Sequence, residues 1–140
     1  MKAIRDHLVE AIQAIEDTNG DPAFKEVLFT RKAKPKQFPS CLIFANPIRP
    51  IPTTVASSRF PFIFEVHAIA LSQDNLEGFD EANNLLGLIT KLFEDDNRQF
   101  DYLVDTSEID RIIPEVDRPR VRTRHEAAVI IRFMKWVSPR

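Results

Sequence analysis

The sequence is poor in the residues that most often build catalytic loops and disulfides. It has three glycines and one cysteine among 140 residues. A single cysteine forms no internal disulfide, which is typical of proteins made in a reducing cytoplasm. The phosphate-binding motifs G-x-G-x-x-G and G-x-x-x-x-G-K-[ST] and the nucleophile elbow G-x-S-x-G do not occur. The chain therefore lacks the glycine-rich loops of common nucleotide-binding proteins and hydrolases.

Histidine is equally sparse, and its spacing does not indicate a metal site. None of the three histidines stands in an H-x-x-x-H or Cys/His pattern of the kind that binds zinc: His7, His67 and His125. Spacing alone leaves open a nucleophile and base pair formed by Cys41 with His67 or His125. Because Cys41 lies in the apolar run "CLIFA", a buried and unreactive thiol is the simpler explanation. We predict no catalytic residues, no metal and no cofactor.

The acidic residues do not form a recognisable nuclease motif. Asp105, Glu108 and Asp110 lie close together in the sequence, but no lysine completes a D…E-x-K pattern. On a strand, Glu108 and Asp110 would share one face and Asp105 would point away from it. The sequence therefore predicts a protein that is not an enzyme.

Long apolar runs and a strong excess of one charge are also missing. No segment approaches the roughly 20 apolar residues of a membrane span, and the charged N-terminal segment is not a secretory signal. Charged residues make up 29% and hydrophobic residues 44% of the chain, as in ordinary soluble globular proteins. With a net charge of −2, nucleic-acid binding would depend on a local basic patch. We predict a single domain spanning residues 1–140.

Two segments show the apolar period of amphipathic helices. The first is predicted over about residues 2–17 and ends before Asn19-Gly20 and Pro22. The second is predicted over about residues 78–95, after the stretch "SQDNLEGF", which is rich in helix-capping residues. Its apolar stripe consists of Phe79, Ala82, Leu86, Ile89 and Phe93.

The remaining apolar runs predict strands. These are "FKEVLFT", "CLIFA", "RFPFIFEVHAIAL", "FDYLVDTSEIDRIIPEV" and a C-terminal strand over about residues 121–137. In the third run, alternate residues from Phe60 to Ala70 form an apolar face, and Glu65 and His67 share the opposite, mixed face. We expect Glu65 and His67 to form a solvated or subunit-facing pair. The element order predicts an α+β fold with a mainly antiparallel β-sheet and two principal helices packed on one face.

Two loops are candidates for contact with a partner. The segment of about residues 46–58 contains three prolines in seven residues and is long enough to form an extended arm or a hairpin. Its candidate contact residues are Arg49, Ile51, Thr53, Thr54 and Val55. A second, basic loop contains Arg31, Lys32, Lys34 and Lys36, for which plain solvation is the alternative explanation.

A row of arginines precedes the last apolar run. Arg118, Arg120, Arg122 and Arg124 occupy every second position and share a strand face with Glu126. Three explanations are open: a charged edge strand protected against aggregation, pairing between subunits with the acidic helix end at Glu94, Asp95 and Asp96, or contact with phosphates. Four phosphate contacts give a salt slope of only about −3.6, so DNA contact is credible chiefly for several copies acting together.

The pattern of the whole chain resembles one known family. The helix "MKAIRDHLVEAIQAIED", the segments "FPSCLIFANP" and "FEVHAIAL", the helix "EGFDEANNLLGLITKLFE" and the terminal strand "AAVIIRFMKW" follow one another in the same order and with similar lengths. In these respects the chain is similar to the tail terminator (tail completion) proteins of tailed bacteriophages. The likeness is one of order and length and includes no diagnostic motif.

The resemblance implies a structural virion protein. Such a protein forms a homohexameric ring that caps the tail tube, stops its polymerisation and joins the tail to head-completion or connector proteins. It is made in the host cytoplasm and located in the tail or neck of the virion, and DNA passes through the ring. The family implies no catalytic residues, and Ile63 and Ile69 are expected to be covered by a neighbouring subunit. The alternatives are a head–tail connector of similar size and a small nucleic-acid-binding protein that uses Arg118–Arg124.

Overall fold

Two helices and six strands make up the described part of the chain. The structure is a computed structural model of the 140-residue protein, and it describes residues 2–29, 35–45, 51–52, 58–93, 100, 104, 106–116 and 123–137. The elements are α1 (Lys2–Gln13), β1 (Glu26–Leu28), β2 (Ser40–Ala45), β3 (Ile51–Pro52), β4 (Ser58–Leu71), α2 (Asn75–Thr90), a 3-10 turn (Lys91–Phe93), β5 (Thr106–Ile113) and β6 (Arg124–Val137).

The strands form one mixed sheet. Their order is β1-β2-β4-β6-β5, and β3 pairs with the beginning of β4. Only β1 and β2 run parallel among the described pairs, and the others are antiparallel. The predicted α+β fold with a mainly antiparallel sheet is therefore confirmed.

Both helices pack against the same face of the sheet. Alternation along each strand places every second side chain on this helix-covered face. Its buried residues are Cys41 and Ile43 from β2, Phe64, Val66, Ala68 and Ala70 from β4, and Ala127, Val129, Ile131 and Phe133 from β6. They form one core with Ile4, Leu8 and Ile12 from α1 and with Ala82, Leu85, Leu86 and Ile89 from α2. We call the opposite side of the sheet the second face.

The first helix is shorter than predicted, because its last expected turn pairs with the chain that follows. α1 ends at Gln13, whereas the apolar period predicts a helix to about residue 17. Asp17 N donates to Asp21 O at 2.8 Å, and Ala23 N donates to Ile15 O at 2.8 Å. The chain turns back between them at Gly20, whose φ of 83° lies in the left-handed region that favours glycine.

The second helix begins earlier than predicted, because its cap lies further upstream. The Asp74 backbone is extended, and its carboxylate accepts a hydrogen bond from Glu77 N at 3.0 Å. This N-cap satisfies one of the free amides of the first helical turn, so α2 starts at Asn75 and not at about residue 78. Regular helix ends at Thr90, and residues 94 and 95 of the predicted helix lie outside the described residues.

Gly78 is the point of closest approach between α2 and β6. A Cβ atom at this position would lie 2.0 Å from His125 Cδ2. The His125 ring is 2% exposed, its Nε2 donates to Ser72 O at 3.0 Å, and its centroid lies 4.7 Å from that of Phe79. The ring is therefore held on several sides, and the helix passes over it only because residue 78 has no side chain.

We expect Gly78→Ala to lower the free energy of unfolding by about 1–2 kcal/mol, because overpacking outweighs the gain in helix propensity. Gly87→Ala is the matched control in the same helix, since a Cβ there meets nothing within 4 Å. It should stabilise the protein by about 0.5–1 kcal/mol. Urea unfolding of both variants measures the contrast, and a stabilised Gly78→Ala protein would contradict it.

Candidate functional site

The arginine row is described only at its last member. Arg118, Arg120 and Arg122 lie outside the described residues, as do the proposed acidic partners Glu94, Asp95 and Asp96. Arg124 is half-buried, and its guanidinium carbon lies 5.1 Å from the centroid of the Phe38 ring. This distance is typical of a cation–π contact, so Arg124 is engaged within its own chain.

The edge-strand explanation of the arginine row stays a prediction, because β6 contains only Arg124 of the four arginines. This strand lies inside the sheet, paired with β4 from Arg124 to Val137 and with β5 from Ala128 to Met134. The edges of the described sheet are β1 and β5. Arg132 lies in the part of β6 that pairs on both sides, and carboxylates on the neighbouring strand act as its partners.

Arg132 shows how such a partner is supplied. Its guanidinium nitrogens lie 3.3 Å from Glu108 Oε1 and 2.9 Å from Asp110 Oδ1, both on β5. A register shift between Ile109 and Arg111 makes Asp110 a bulge residue, and both carboxylates reach the same guanidinium. Glu108 and Asp110 therefore share a face, as predicted, and they serve as partners of an arginine. The exposed fractions of the three side chains are 37–59%, so the network contributes little to stability.

The two candidate contact loops are described at a few positions. Arg31, Lys32, Lys34, Arg49, Thr53, Thr54 and Val55 lie outside the described residues. Lys36 is exposed, and its backbone N donates to Glu26 Oε2 at 3.0 Å. Ile51 belongs to β3, where its backbone pairs with Arg59 and the neighbouring Pro52 pairs with Ser58. Of the two alternatives for the proline-rich segment, the hairpin is the one the structure contains.

A buried polar cluster lies in the middle of the second face. His67 Nδ1 and Glu126 Oε2 are 2.6 Å apart, and His67 Nε2 lies 3.3 Å from Glu65 Oε2. The side chain of Glu126 is 1% exposed and that of His67 is 8% exposed, while Glu65 reaches 31%. A carboxylate accepts hydrogen bonds, so Nδ1–H of His67 donates to Glu126. The Glu65–His67–Glu126 cluster is the most deeply buried group of ionisable side chains in the described structure.

The cluster corrects the prediction for Glu65 and His67. They do share a face and lie in contact, but His67 is buried and its shorter bond is to Glu126. The sheet register explains this, because Ile69 pairs with Glu126 and His67 pairs with Ala128, so His67 and Glu126 are diagonal neighbours. The sequence does place each residue on the second face of its strand. It does not say that the two strands are adjacent.

The expectation that a neighbouring subunit covers Ile69 is also wrong. Ile69 is 1% exposed within its own chain, and Leu42 and Ala128 beside it are buried as well. Ile63 is half-buried. Ile69 therefore has almost no exposed apolar area for another subunit to cover.

The remaining thiol and histidines are packed or hydrogen-bonded within the described part of the chain. Cys41 is fully buried on the helix-covered face, and burial raises the pKa of its thiol, so the thiolate needed for nucleophilic attack is disfavoured. His125 bonds to Ser72 O, and the His7 ring packs edge-on against Phe100 at 4.7 Å. Within the described ranges, no three His, Cys, Asp or Glu side chains converge as metal ligands do.

No protein-family model matches the chain, and no curated protein matches its sequence. Among the described helices, none has the length and apolar character needed to cross a membrane.

Proposed function

We propose that this chain is a structural protein of a phage virion, a tail terminator. In this role six copies form a ring on the end of the tail tube, stop its polymerisation and provide the joint to head-completion or connector proteins. Genome DNA passes through the ring without sequence-specific contact. The protein is made in the host cytoplasm and becomes part of the tail or neck.

The order of elements supports the proposal. In the structure α1, β1, β2, β4, α2 and β6 follow one another along the chain, with β3 between β2 and β4 and β5 between α2 and β6. The resemblance to tail terminators rests on the first six of these elements. The structure adds the hairpin partner β3 and the pairing of β4 with β6.

The observation that carries the proposal is the length of the two central strands. β4 and β6 have 14 residues each and pair along their full length, which corresponds to about 45 Å at roughly 3.3 Å per residue. α2 has 16 residues and is therefore only about 24 Å long. The sheet continues beyond α2 at the end where β3 joins β4 and β6. Such a three-stranded extension is suited to reach a neighbouring subunit or the tail tube.

The ionisable groups of the second face also favour a structural role. Glu65, His67 and Glu126 bind one another, and Arg132 binds Glu108 and Asp110. Arg124 lies over Phe38. In a binding or catalytic surface, several such groups would converge on a space for a ligand, whereas here they hold neighbouring strands together.

Electron microscopy of lysates from phage lacking this gene tests the proposal. We expect tail tubes of irregular, excessive length and virions without joined heads, because nothing ends tube growth. Restoring the wild-type protein should restore tails of uniform length. Labelled protein should be found at the head-proximal end of the tail.

Two other results would point elsewhere. Tails of normal length that fail to join heads would favour the head–tail connector alternative. Normal virions, together with salt-dependent DNA binding by the purified protein that is lost in Arg120→Ala/Arg122→Ala, would favour the nucleic-acid-binding alternative.

A further inference from the structure

The first half of α2 presents an exposed face with an unusual centre. Leu76 is 74% exposed, the most exposed large apolar side chain of the described structure. A shallow groove beside it is lined by Asp74, Leu76, Glu77, Asp80, Glu81 and Asn84. We call this surface the Leu76 face. It combines an apolar contact point with four carboxylates, and it lies on the side of α2 away from the sheet.

Helix formation explains only part of this composition. Asp74 caps the helix, and Glu77 lies in its first turn, where a negative charge favours the helix dipole. Asp80 and Glu81 lie beyond that turn, and the exposed Leu76 side chain buries little apolar area in the isolated chain. In protein interfaces, by contrast, an apolar centre with a charged rim is the usual arrangement.

A second copy of the same chain carries a sequence segment of opposite charge. Residues 118–124, "RPRVRTR", contain four arginines and no acidic residue. Arginine is suited to this partner because its planar guanidinium can bind a carboxylate through two hydrogen bonds. A closed ring of identical subunits needs two different surfaces that fit one another, and an acidic face with a basic segment satisfies this requirement.

We propose that the Leu76 face receives the arginine segment, residues 118–124, of the next subunit in the ring. The inference rests on the proposed function, because it assigns the contact that closes the ring. It replaces Glu94, Asp95 and Asp96 with the first half of α2 as the partner of the arginines. Arg124 remains over Phe38 of its own chain, so Arg118, Arg120 and Arg122 make the contact.

Charge reversal on each side separates this contact from others. The first variant, Glu77→Lys with Asp80→Lys, makes the Leu76 face basic, and the second, Arg120→Glu with Arg122→Glu, makes the segment acidic. The control, Asp6→Lys with Glu10→Lys, makes the same change of charge on the exposed side of α1. The mass of each assembly is measured by analytical ultracentrifugation, in solution and after incubation with isolated tail tubes. Thermal unfolding confirms that each variant is folded.

We expect each reversed variant to associate at least tenfold more weakly than the wild type, and the control to assemble normally. An equimolar mixture of the two reversed variants should assemble again. In the mixed ring the two variants alternate. The basic Leu76 face of the first variant then contacts the acidic segment of the second, and the acidic Leu76 face of the second contacts the basic segment of the first. This recovery requires a contact between subunits and an even number of them.

The remaining outcomes contradict either the contact between subunits or the proposed function. Ser72 N donates to Thr123 O at 2.9 Å, so the arginine segment ends beside the start of α2 in its own chain. If the mixture stays unassembled while a chain with all four changes assembles, the contact is intramolecular and the inference is wrong. Normal assembly of either reversed variant also overturns it. A wild-type protein that forms no ring in solution or on tubes would instead refute the proposed function.

Discussion

Replacing Phe133 with alanine is expected to lower the free energy of unfolding by about 4 kcal/mol. The Phe133 side chain is fully buried on β6. Its ring centroid lies 5.6 Å from that of Phe64, 5.6 Å from that of Phe93 and 5.2 Å from that of Phe100. These rings come from β4, from the 3-10 turn after α2 and from the connection to β5. One substitution therefore removes packing from three parts of the chain and leaves a cavity among aromatic rings.

Urea unfolding of Phe133→Ala measures this loss, and Ile112→Ala is its control. Ile112 lies on the edge strand β5 and is 54% exposed, so its truncation should change the free energy of unfolding by less than about 0.5 kcal/mol. Phe133→Leu keeps part of the apolar volume and should fall between the two. A loss in Phe133→Ala no larger than that in Ile112→Ala would show that these rings do not form the core.

The periodicity of β4 shows what a single sequence can predict. Every second residue from Phe64 to Ala70 is buried under the helices, as the alternation of the apolar run indicates. The two helices are predicted in the same way, because their apolar residues recur with the helical period of 3.6 residues. These predictions succeed because the pattern and the physical cause are local: a side chain on the wrong face would expose apolar area to water.

Helix ends are less predictable, because backbone pairing beyond the helix decides them. The apolar stripe of α1 continues to Ile15, and Ile15 still packs against the core, yet the helix has already ended at Gln13. Pairing of residues 15–17 with residues 21–23 satisfies the backbone instead. The apolar stripe indicates which residues pack against the core, and this packing continues to Ile15 although the helix ends at Gln13.

The position of β6 could not be predicted, since strand order depends on contacts far apart in the sequence. Arginines and a nearby proline favour an edge strand when β6 is considered alone. In the sheet, β5 supplies carboxylates to Arg132 and Phe38 supplies a ring to Arg124, and the strand lies in the interior. The buried cluster was missed for the same reason. The signal in the sequence was a single glutamate within each of the two long strands, at Glu65 and Glu126.

Glu126→Ala is expected to lower the free energy of unfolding by about 3 kcal/mol. Glu126 is 1% exposed and makes the shorter of the two bonds to His67. Its removal leaves the imidazole Nδ1–H buried without its acceptor, and an unpaired buried polar group costs more than the net value of the bond. Glu65→Ala is the control. Its carboxylate is 31% exposed and lies at 3.3 Å, so its loss should cost less than about 1 kcal/mol.

A double-mutant cycle with His67→Ala separates the hydrogen bond from the packing around it. If the two residues act as a unit, His67→Ala should lower the free energy of unfolding only slightly in the Glu126→Ala variant. We expect a coupling free energy of about 1.5–3 kcal/mol. Purely additive losses would mean that Glu126 stabilises the second face by filling space. The distinction matters for the fold, because His67 and Glu126 join the two longest strands on the face that carries no described helix. A coupled pair would fix the register of β4 against β6, since a slip of one strand by one residue would place one of the two polar groups on the helix-covered face and separate it from the other.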